Sequence, residues 1–388
     1  MKKNRRNKII ILLFIVLGCF SFVDCKKLSA VNDTTPLWYN QLDIPLVPYN
    51  YQSPNLPSFF NNQFVRVADN TPTNNQISNW GATLGRVLFY DTRLSKNNSI
   101  SCGSCHIQKY GFSDTAKFSR GFNKEKTKRH SMALVNARYY VSGKFFWDER
   151  ATSLEKQVLE PIKDHVEMGM TLDSVLLRLK KIEYYPQLFE YAFGAKEIDT
   201  IKIAKALAQF VRSIVSYQSN YDIGRARVKK TTDNFPNFSK TENAGKKIFF
   251  KPTGLSCSSC HMTDLFFGDM ARNNGLSLTD DRGVGGNTYR PIDMYRFKSP
   301  SLKNISIRTP YMHDGRFLTL EDVIEHYSSG IADHNYVDSH FKTPSGVFQF
   351  NFSPQEKKEL ISFLKTLTDE KLLSDPKFSN PFKGVRVN

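Results

Sequence analysis

The pentapeptide Cys102-Gly103-Ser104-Cys105-His106 is repeated as Cys257-Ser258-Ser259-Cys260-His261 in a chain of 388 residues. Two cysteines three positions apart, followed at once by histidine, form the attachment motif of c-type haem. The two thiols add to the vinyl groups of one porphyrin, and the adjoining imidazole becomes an axial ligand of its iron. A single copy can arise by chance, but two copies predict two covalently bound haem c groups, with His106 and His261 as iron ligands.

The first 25 residues have the composition of an export signal. A basic start is followed by an apolar run over residues 9–17, which is too short to span a bilayer comfortably. Gly18 before Cys19 resembles a lipoprotein cleavage site, so we expect Cys19 to carry a lipid. Cys25 is the rival lipid-bearing cysteine, and a cleaved signal peptide without lipid is the remaining alternative. These features predict an exported, periplasmic protein whose only membrane contact is a lipid anchor.

The chain is basic, with a formal net charge of +17 at pH 7. Nucleic acid is not the expected partner, because the positive charges are scattered and the predicted compartment is outside the cytoplasm. A solvated surface is the first interpretation. An anionic envelope or an acidic redox partner is the second, since charge of this kind chiefly steers encounters.

Composition and patterning divide the chain into four parts. Residues 1–25 are the signal region, and residues 26–76, rich in Asn and Pro, are expected to form an extended, low-order lead-in. An N-terminal haem domain is predicted over residues 77–235, and a C-terminal haem domain with a tail over residues 236–388. Because strand alternation is scarce, the predicted fold is mainly α, with two tandem cytochrome c-like haem domains.

Helical periodicity and capping signals mark the main helices. Residues 84–88 have helical spacing just before the first haem motif. Ser239 with Glu242, and Ser353 with Glu356, resemble capping boxes that open two further helices. Other helices are predicted over residues 172–180, 185–193 and 201–215, with a linker over residues 229–240.

A weak internal repeat surrounds the two motifs. Phe112 lies six residues beyond the first motif histidine, and Phe267 lies six residues beyond the second. Upstream, the segment 85–89 is similar to the segment 245–249. The repeat predicts two similar haem-binding modules in tandem.

Further segments extend the similarity to most of the chain. From about Leu84 to Leu367 the sequence resembles the bacterial di-haem cytochrome c peroxidase family, including its MauG-type branch, which matures a protein-derived quinone. The segments that carry the resemblance are Leu84-Gly85-x-x-Leu88-Phe89-x-Asp91-x-Arg93-Leu94-Ser95, Phe146-Trp147-Asp148-Glu149-Arg150-Ala151, Val166-Glu167-Met168-Gly169, Phe297-Lys298-Ser299-Pro300-Ser301-Leu302-Lys303-Asn304 and Pro310-Tyr311-Met312-His313-Asp314-Gly315-Arg316-Phe317.

The resemblance implies unlike roles for the two haems. It makes the haem bound by His106 the peroxidatic one, with an open distal position. Glu167 matches the family's catalytic glutamate, with Gln157 and Pro161 at pocket positions. Trp147 resembles the tryptophan that lies between the haems and helps electrons pass.

The haem bound by His261 is expected to be six-coordinate and to receive electrons. Its second ligand departs from the usual family pattern, in which a methionine lies fourteen residues beyond the histidine that matches His313. That position here is Tyr327, and the MauG-type branch uses tyrosine. A phenolate favours ferric iron more than a thioether does, so it should lower the haem potential. The competing candidates are Met312, Met294 and His326.

The first haem departs from the family pattern as well. Many family members carry a loop histidine that caps the peroxidatic iron, but the matching loop, residues 118–122, has none. The nearest histidine is His130, which we interpret as structural, with a ligand role as the alternative. The implication is a peroxidatic haem that is open without reductive activation.

A calcium ion is a further cofactor that the resemblance raises. The family holds it between the haem domains with one asparagine side chain and backbone carbonyl groups. Arg308 and Pro310 have the positions to supply carbonyls, but the asparagine position is occupied by His130, and neutral imidazole is a poor calcium ligand. Calcium is therefore an open expectation.

These features together predict a di-haem c-type peroxidase. It would reduce hydrogen peroxide with electrons from a small external redox protein, which enter at the C-terminal haem and are used at the N-terminal haem. The first alternative is a MauG-like oxidant of a partner protein, towards which Tyr327 points. The second is a di-haem electron carrier with no enzymatic activity.

Overall fold

A computed structural model of the protein describes residues 35–384. The predicted signal region, including Cys19 and Cys25, lies outside the described residues. Between residues 35 and 384, no helix is long and apolar enough to cross a membrane.

Helices dominate the described residues, as predicted, and the only sheet among them has two short antiparallel strands, β1 (Lys342–Thr343) and β2 (Gly346–Val347). The fourteen α-helices of this part of the chain are α1 (Gln63–Ala68), α2 (Asn79–Tyr90), α3 (Cys102–Cys105), α4 (Leu154–Gln157), α5 (Glu160–Lys163), α6 (Leu172–Lys180), α7 (Tyr184–Phe193), α8 (Thr200–Ser213), α9 (Asn220–Arg225), α10 (Lys240–Phe249), α11 (Gly285–Thr288), α12 (Leu320–Ser329), α13 (Pro354–Lys365) and α14 (Glu370–Ser374).

The predicted helices are present with small shifts at their ends. The helix predicted over residues 172–180 is α6, and those predicted over 185–193 and 201–215 are α7 and α8. Both predicted capping boxes are formed: the Ser239 hydroxyl accepts from the Glu242 N–H at 3.2 Å, and Ser353 does the same for Glu356 at 3.3 Å. Each box satisfies N–H groups that a helix start otherwise leaves unpaired.

Two helix crossings repeat along the chain, and a glycine allows each one. Helix α2 packs on α8 at Gly85, where an added Cβ would lie 2.0 Å from the Ala206 carbonyl oxygen. Helix α10 packs on α13 at Gly245, where an added Cβ would lie 1.9 Å from the Glu359 carbonyl oxygen. The sequence repeat around these glycines therefore corresponds to a repeated close approach of two helices.

The two crossings belong to separate hydrophobic cores. The first core contains buried residues of α2, α6, α7 and α8, and the second contains buried residues of α10, α12 and α13. Helix α9 joins the second core, because the Tyr221 ring packs edge-on against Phe266 at 4.8 Å. Leu372 and Phe378, near the end of the chain, return to the first core. Part of the tail predicted to belong to the C-terminal domain therefore packs in the first core.

The described part of the lead-in also differs from the prediction of low order. It has little regular structure, but Trp38, Leu42, Ile44 and Tyr51 are buried in the first core. Leu42 forms an antiparallel bridge with Phe382, so this segment and the C-terminal tail pack together on the first core. The burial of these apolar residues could not be predicted from the sequence, because they are scattered among Asn and Pro and follow no helical or strand period.

Candidate active site

The first Cys-x-x-Cys-His motif opens onto a cavity of about 820 Å³. Cys102, Cys105 and His106 line its wall. The residues predicted for the peroxidatic pocket line the same cavity: Trp147, Gln157, Pro161 and Glu167. The fold thus brings together residues that are up to 65 positions apart in the sequence.

Both motifs fold as a single helical turn that begins with a serine pair. The Ser101 N–H donates to the Ser104 hydroxyl at 3.0 Å, and the Ser256 N–H donates to the Ser259 hydroxyl at 3.1 Å. Residues three apart on a helical turn lie on one face, so each turn presents its two thiols together. All four motif cysteines are free thiols, which covalent attachment requires.

Burial keeps both motif histidines neutral, and a hydrogen bond orients the ring of His106. His106 Nδ1 donates to the Phe112 carbonyl oxygen at 3.1 Å, so Nε2 is the nitrogen left for a metal. Burial lowers the pKa of His106. Burial also lowers the pKa of His261 to about 4, although the nearby Phe266 carbonyl opposes this shift. Neutral imidazole is the form that binds metal.

The loops after the motif histidines correct the register of the predicted repeat. Phe112 and Phe266 both have positive φ, at 58° and 55°. The Ile107 N–H donates to the Ser113 carbonyl, and the Met262 N–H donates to the Phe267 carbonyl. Phe112 therefore corresponds to Phe266, and the pairing of Phe112 with Phe267 was wrong. The second loop is one residue shorter, which an alignment by equal spacing does not detect.

Glu167 sits on a turn just after α5. Asp164 Oδ1 accepts from the Glu167 N–H at 3.0 Å, and the Glu167 carbonyl accepts from the Phe122 N–H at 2.9 Å. Burial raises the pKa of the Glu167 carboxyl to about 7; the Asp164 carboxylate adds to the rise and Arg150 opposes it. The Glu167 charge also raises the pKa of the Cys102 thiol, although burial is the main cause of that rise. A carboxyl group with a pKa near neutrality can both take up and return a proton.

The loop predicted to lack a capping histidine packs against the Glu167 turn. Gly121 leaves room for the Val166 carbonyl oxygen, which would lie 1.6 Å from a Cβ at that position. Arg120 and Gly121 line the cavity from this loop. The loop therefore packs on the backbone of the Glu167 turn, and it contains no histidine.

The second motif opens onto a smaller cavity, with a volume of about 190 Å³. Cys257 and His261 line it, together with Tyr327 and Met312. Asn274 Nδ2 lies 3.3 Å from the Tyr327 hydroxyl and 3.5 Å from the Met312 sulfur, so one amide places both groups. Burial raises the pKa of the Tyr327 phenol to about 12.

The other ligand candidates are placed differently. Met294 and His326 are absent from the described lining of the second cavity. The ring of His326 is engaged through Nε2, which lies 3.0 Å from the Asn274 carbonyl oxygen. Both ring nitrogens of His130 have partners, with Nδ1 3.1 Å from the Ala116 carbonyl and Nε2 3.3 Å from the Ser113 hydroxyl. This arrangement supports the structural interpretation of His130.

Trp147 lines both cavities. Its indole Nε1 donates to the His130 carbonyl at 2.8 Å, and its own carbonyl accepts from the Lys298 N–H at 2.8 Å. Its ring centroid lies 6.5 Å from that of His313, which stacks at 3.6 Å on Phe297. The wall between the cavities is therefore a packed, hydrogen-bonded layer with an indole at its centre.

Comparisons with known proteins agree with this arrangement. A family model described as di-haem cytochrome c peroxidase matches residues 79–229. The methylamine utilization protein MauG of Methylorubrum extorquens is 34% identical over 307 residues, covering 77% of this chain and 81% of its own. The chain belongs to the di-haem cytochrome c peroxidase family. The cytochrome c551 peroxidase of Nitrosomonas europaea is 29% identical over 296 residues, covering 74% of this chain and 80% of its own.

Among solved structures, a MauG-like protein associated with microbial copper homeostasis has a TM-score of 0.69 and 29% identity. The match covers 86% of this chain and 99% of the other. Relatives named as cytochrome c peroxidases make this member of the family a peroxidase-type oxidoreductase. The electron-carrier alternative is not favoured.

Di-haem peroxidases use haem c, and the residues of this chain fit that group. The first motif presents two free thiols and a neutral histidine on the wall of its cavity, and the second motif presents the Cys257 thiol and a neutral histidine on the wall of the other. The buried His261 Nδ1 has no hydrogen-bond partner among the described residues, and neither does the buried His313 Nε2. His106, Cys102 and Cys105 would hold the first haem, and the corresponding residues of the second motif would hold the other.

Calcium, in contrast, does not fit the position that the family uses. The ring of His130 is held by Ala116 and Ser113, and it offers nitrogen where calcium requires oxygen. The neighbouring Arg308 side chain is buried and carries its own positive charge.

Several residues of the site were missed in the sequence. Asn274, which contacts Tyr327 and Met312, belongs to no motif and has no periodic neighbours. His165 is exposed, lines the first cavity and lies two residues before Glu167, but no sequence motif marks it as a ligand. Lys298 and Arg308 were visible within or beside matching segments, yet only burial distinguishes them from surface cations.

Proposed function

We propose that this protein reduces hydrogen peroxide to water in the first cavity, with electrons that an external redox protein delivers at the second. The observation that carries the proposal is the asymmetry of the two cavities. Glu167, with a pKa of about 7, lines the first. Tyr327 and Met312, held by one amide, line the second.

Haem c, when bound, supplies an iron that can bind peroxide and exchange single electrons. The part of Glu167 is to take the proton of the peroxide oxygen that binds and return it to the oxygen that leaves as water. Burial keeps the proton affinity of this carboxyl near neutrality, so both transfers are feasible at pH 7. Gln157 and Pro161 border the same space, where they would shape the approach of peroxide.

Trp147 would help electrons pass from the haem of the second cavity to the haem of the first. It is fixed at both its indole nitrogen and its carbonyl oxygen, and it contacts both cavities. A rigid aromatic group at this point needs little rearrangement when an electron passes. His313, stacked on Phe297 beside it, completes the packed layer.

Tyr327 is proposed as the second axial ligand of the C-terminal haem. It is half-buried and lines the second cavity, and Asn274 positions its hydroxyl. The repeated glycine crossings support two tandem cytochrome c-like modules. Export and lipid attachment through Cys19 or Cys25 remain predictions from the sequence.

Steady-state kinetics of the holoprotein test the proposed function. Reduced small c-type cytochromes are offered with hydrogen peroxide, and cytochrome oxidation is followed against peroxide consumption. Rapid oxidation of two cytochromes per peroxide supports the proposal, because peroxide takes up two electrons. Slow oxidation with every donor tried, together with undiminished peroxide consumption, would contradict it.

A MauG-like oxidation of a partner protein is the second candidate function. It is favoured by Tyr327 in the second cavity and by the 34% identity to a methylamine utilization protein. In this case peroxide consumption would leave covalent changes in a partner protein and little oxidised cytochrome. Mass spectrometry of proteins incubated with the holoprotein and peroxide distinguishes the two functions.

A further inference from the structure

Arg308 is a buried cation at the junction of the two haem modules. Its residue is only 6% exposed. On one side its stem packs on Gly111, where an added Cβ would lie 3.4 Å from both Cγ and Cδ of Arg308. Gly111 directly precedes Phe112, whose carbonyl orients His106. On the other side Arg308 lines the second cavity together with His261.

The guanidinium of Arg308 is incompletely paired within the described residues. Its Nη2 donates to the Ser301 carbonyl at 2.7 Å, and its Nε has no partner. No ion pair joins it to a carboxylate between residues 35 and 384. A buried charge without a counter-ion is costly, because it loses hydration and gains nothing in return.

Other buried cations of this chain are better satisfied by the protein. The guanidinium of Arg86 donates to three carbonyl oxygens, those of Asp43, Pro376 and Lys377. The ammonium of Lys246 donates to the carbonyls of Thr231 and Asp233. Arg308 differs from Arg86 and Lys246 because it lines a cavity, and a single carbonyl oxygen accepts from its guanidinium.

The position of Arg308 also bears on calcium. Arg308 lines the second cavity together with His130 and His261, one histidine from each module. His130 stands at the sequence position of the family's calcium-binding asparagine, and His261 belongs to the second haem motif. A divalent cation added beside a buried guanidinium would meet like-charge repulsion in a low-dielectric setting.

We propose that the Arg308 guanidinium is the fixed cation between the two haem modules, in place of calcium, with a propionate carboxylate of the second haem as its counter-ion. Haem propionates are the anions that a c-type haem brings into such a cavity. A guanidinium–carboxylate pair supplies charge-assisted hydrogen bonds to the unused donors. The inference rests on haem binding by the family and is independent of the reaction with peroxide.

Calcium content of the wild-type holoprotein tests the first half of the proposal. Holoprotein is dialysed against calcium chloride, then against buffer with or without EGTA, and calcium is measured by inductively coupled plasma mass spectrometry. We expect far less than one calcium per chain, with thermal unfolding and the haem spectrum unchanged by EGTA. One calcium per chain whose removal shifts the spectrum or the melting temperature would overturn it.

The reduction potential of the second haem tests the other half. A nearby positive charge stabilises the reduced, less positive haem, so Arg308→Met should shift its midpoint potential to more negative values. Arg308→Lys, which keeps the charge, should remain close to wild type. Haem content and circular dichroism establish that each variant is folded, and the Lys variant provides the comparison if the Met variant is not. Equal potentials for folded Met, Lys and wild-type proteins, or a shift in Arg308→Lys as large as in Arg308→Met, would overturn the assignment.

Discussion

The indole nitrogen of Trp147 donates a 2.8 Å hydrogen bond to the carbonyl oxygen of His130. The backbone N–H of His130 in turn donates to the carbonyl of His313 at 2.8 Å, so the chain segments on either side of the wall are directly connected. His130 thus contributes through its backbone, while its ring is held by Ala116 and Ser113. This connection fixes the tryptophan that both cavities share.

Replacing Trp147 with phenylalanine should uncouple the cavities. The smaller ring cannot donate to the His130 carbonyl and leaves space in the wall. We expect cytochrome-dependent peroxide turnover to fall by about tenfold or more, which corresponds to about 1.4 kcal/mol in the barrier. Both haems should remain attached, as pyridine haemochrome spectra would establish. Unchanged turnover in Trp147→Phe would remove the tryptophan from the electron path.

Replacing Glu167 with glutamine should remove the proton-transfer group while preserving the shape of the pocket. General acid–base groups contribute about 10²- to 10⁴-fold, so the rate of peroxide reduction should fall within that range. Stopped-flow mixing of the holoprotein with peroxide measures this step without an electron donor. Glu160→Gln is the matched control, because Glu160 is paired with Lys163 away from the cavity wall. A near-normal rate in Glu167→Gln would exclude the proposed role.

The rate should also depend on pH through Glu167. The carboxylate form accepts the first proton, and its pKa is raised by burial to about 7. The kcat/KM for peroxide should therefore rise as pH increases from about 6 to about 8 and then level off. Glu167→Gln should lose this inflection while remaining slow at every pH. A wild-type profile that is flat over this range would contradict the assignment.

Replacing Tyr327 tests the ligand of the second haem. Thioether ligands raise haem potentials relative to anionic oxygen ligands, so Tyr327→Met should shift the potential of that haem to more positive values. Tyr327→Phe should alter the low-spin signal, because a phenyl ring cannot bind iron. Spectroelectrochemistry follows both variants. If Tyr327→Phe retains the wild-type spectrum, Met312 becomes the better candidate.

Arg129 should stabilise the junction of the two modules. It pairs with Asp281 at 2.7 Å and with Asp148, beside Trp147, at 2.6 Å, and its side chain is only 21% exposed. Arg129→Ala should lower the free energy of unfolding by about 2 kcal/mol, since charged hydrogen bonds of this kind are lost. Lys163→Ala is the control, because its pair with Glu160 is 45% exposed on both sides and should contribute less than about 1 kcal/mol. Guanidinium denaturation of the holoproteins measures both.

Much of the fold could be predicted because its signals are local. Helices α6, α7 and α8 follow apolar periodicity, and the boxes at Ser239 and Ser353 depend on residues three apart. The distal residues of the first cavity followed from the family resemblance. The lead-in and the tail could not be predicted, because Trp38 and Phe378 are anchored by contacts that are distant in sequence.

The rest of the site depended on features that spacing does not encode. Phe112 pairs with Phe266 because two loops with the same backbone conformation differ by one residue in length. Asn274 reaches Tyr327 only after the chain has folded. The burial of Arg308 likewise results from packing between the two modules. A basic residue beside a family motif gives no sign in the sequence that it will be buried.

The two haems should be unlike, one open beside Glu167 and one closed by Tyr327. Electron paramagnetic resonance of the diferric holoprotein tests it most directly, because it resolves high-spin and low-spin ferric haem in one sample. We expect one high-spin signal, which cyanide or another small ligand converts to a low-spin signal. We also expect one low-spin signal that these ligands do not change in the wild-type protein and that is absent or shifted in Tyr327→Phe. Two low-spin signals in the diferric holoprotein, with no high-spin signal, would contradict this assignment, and His165 or His130 would then have to cap the first iron.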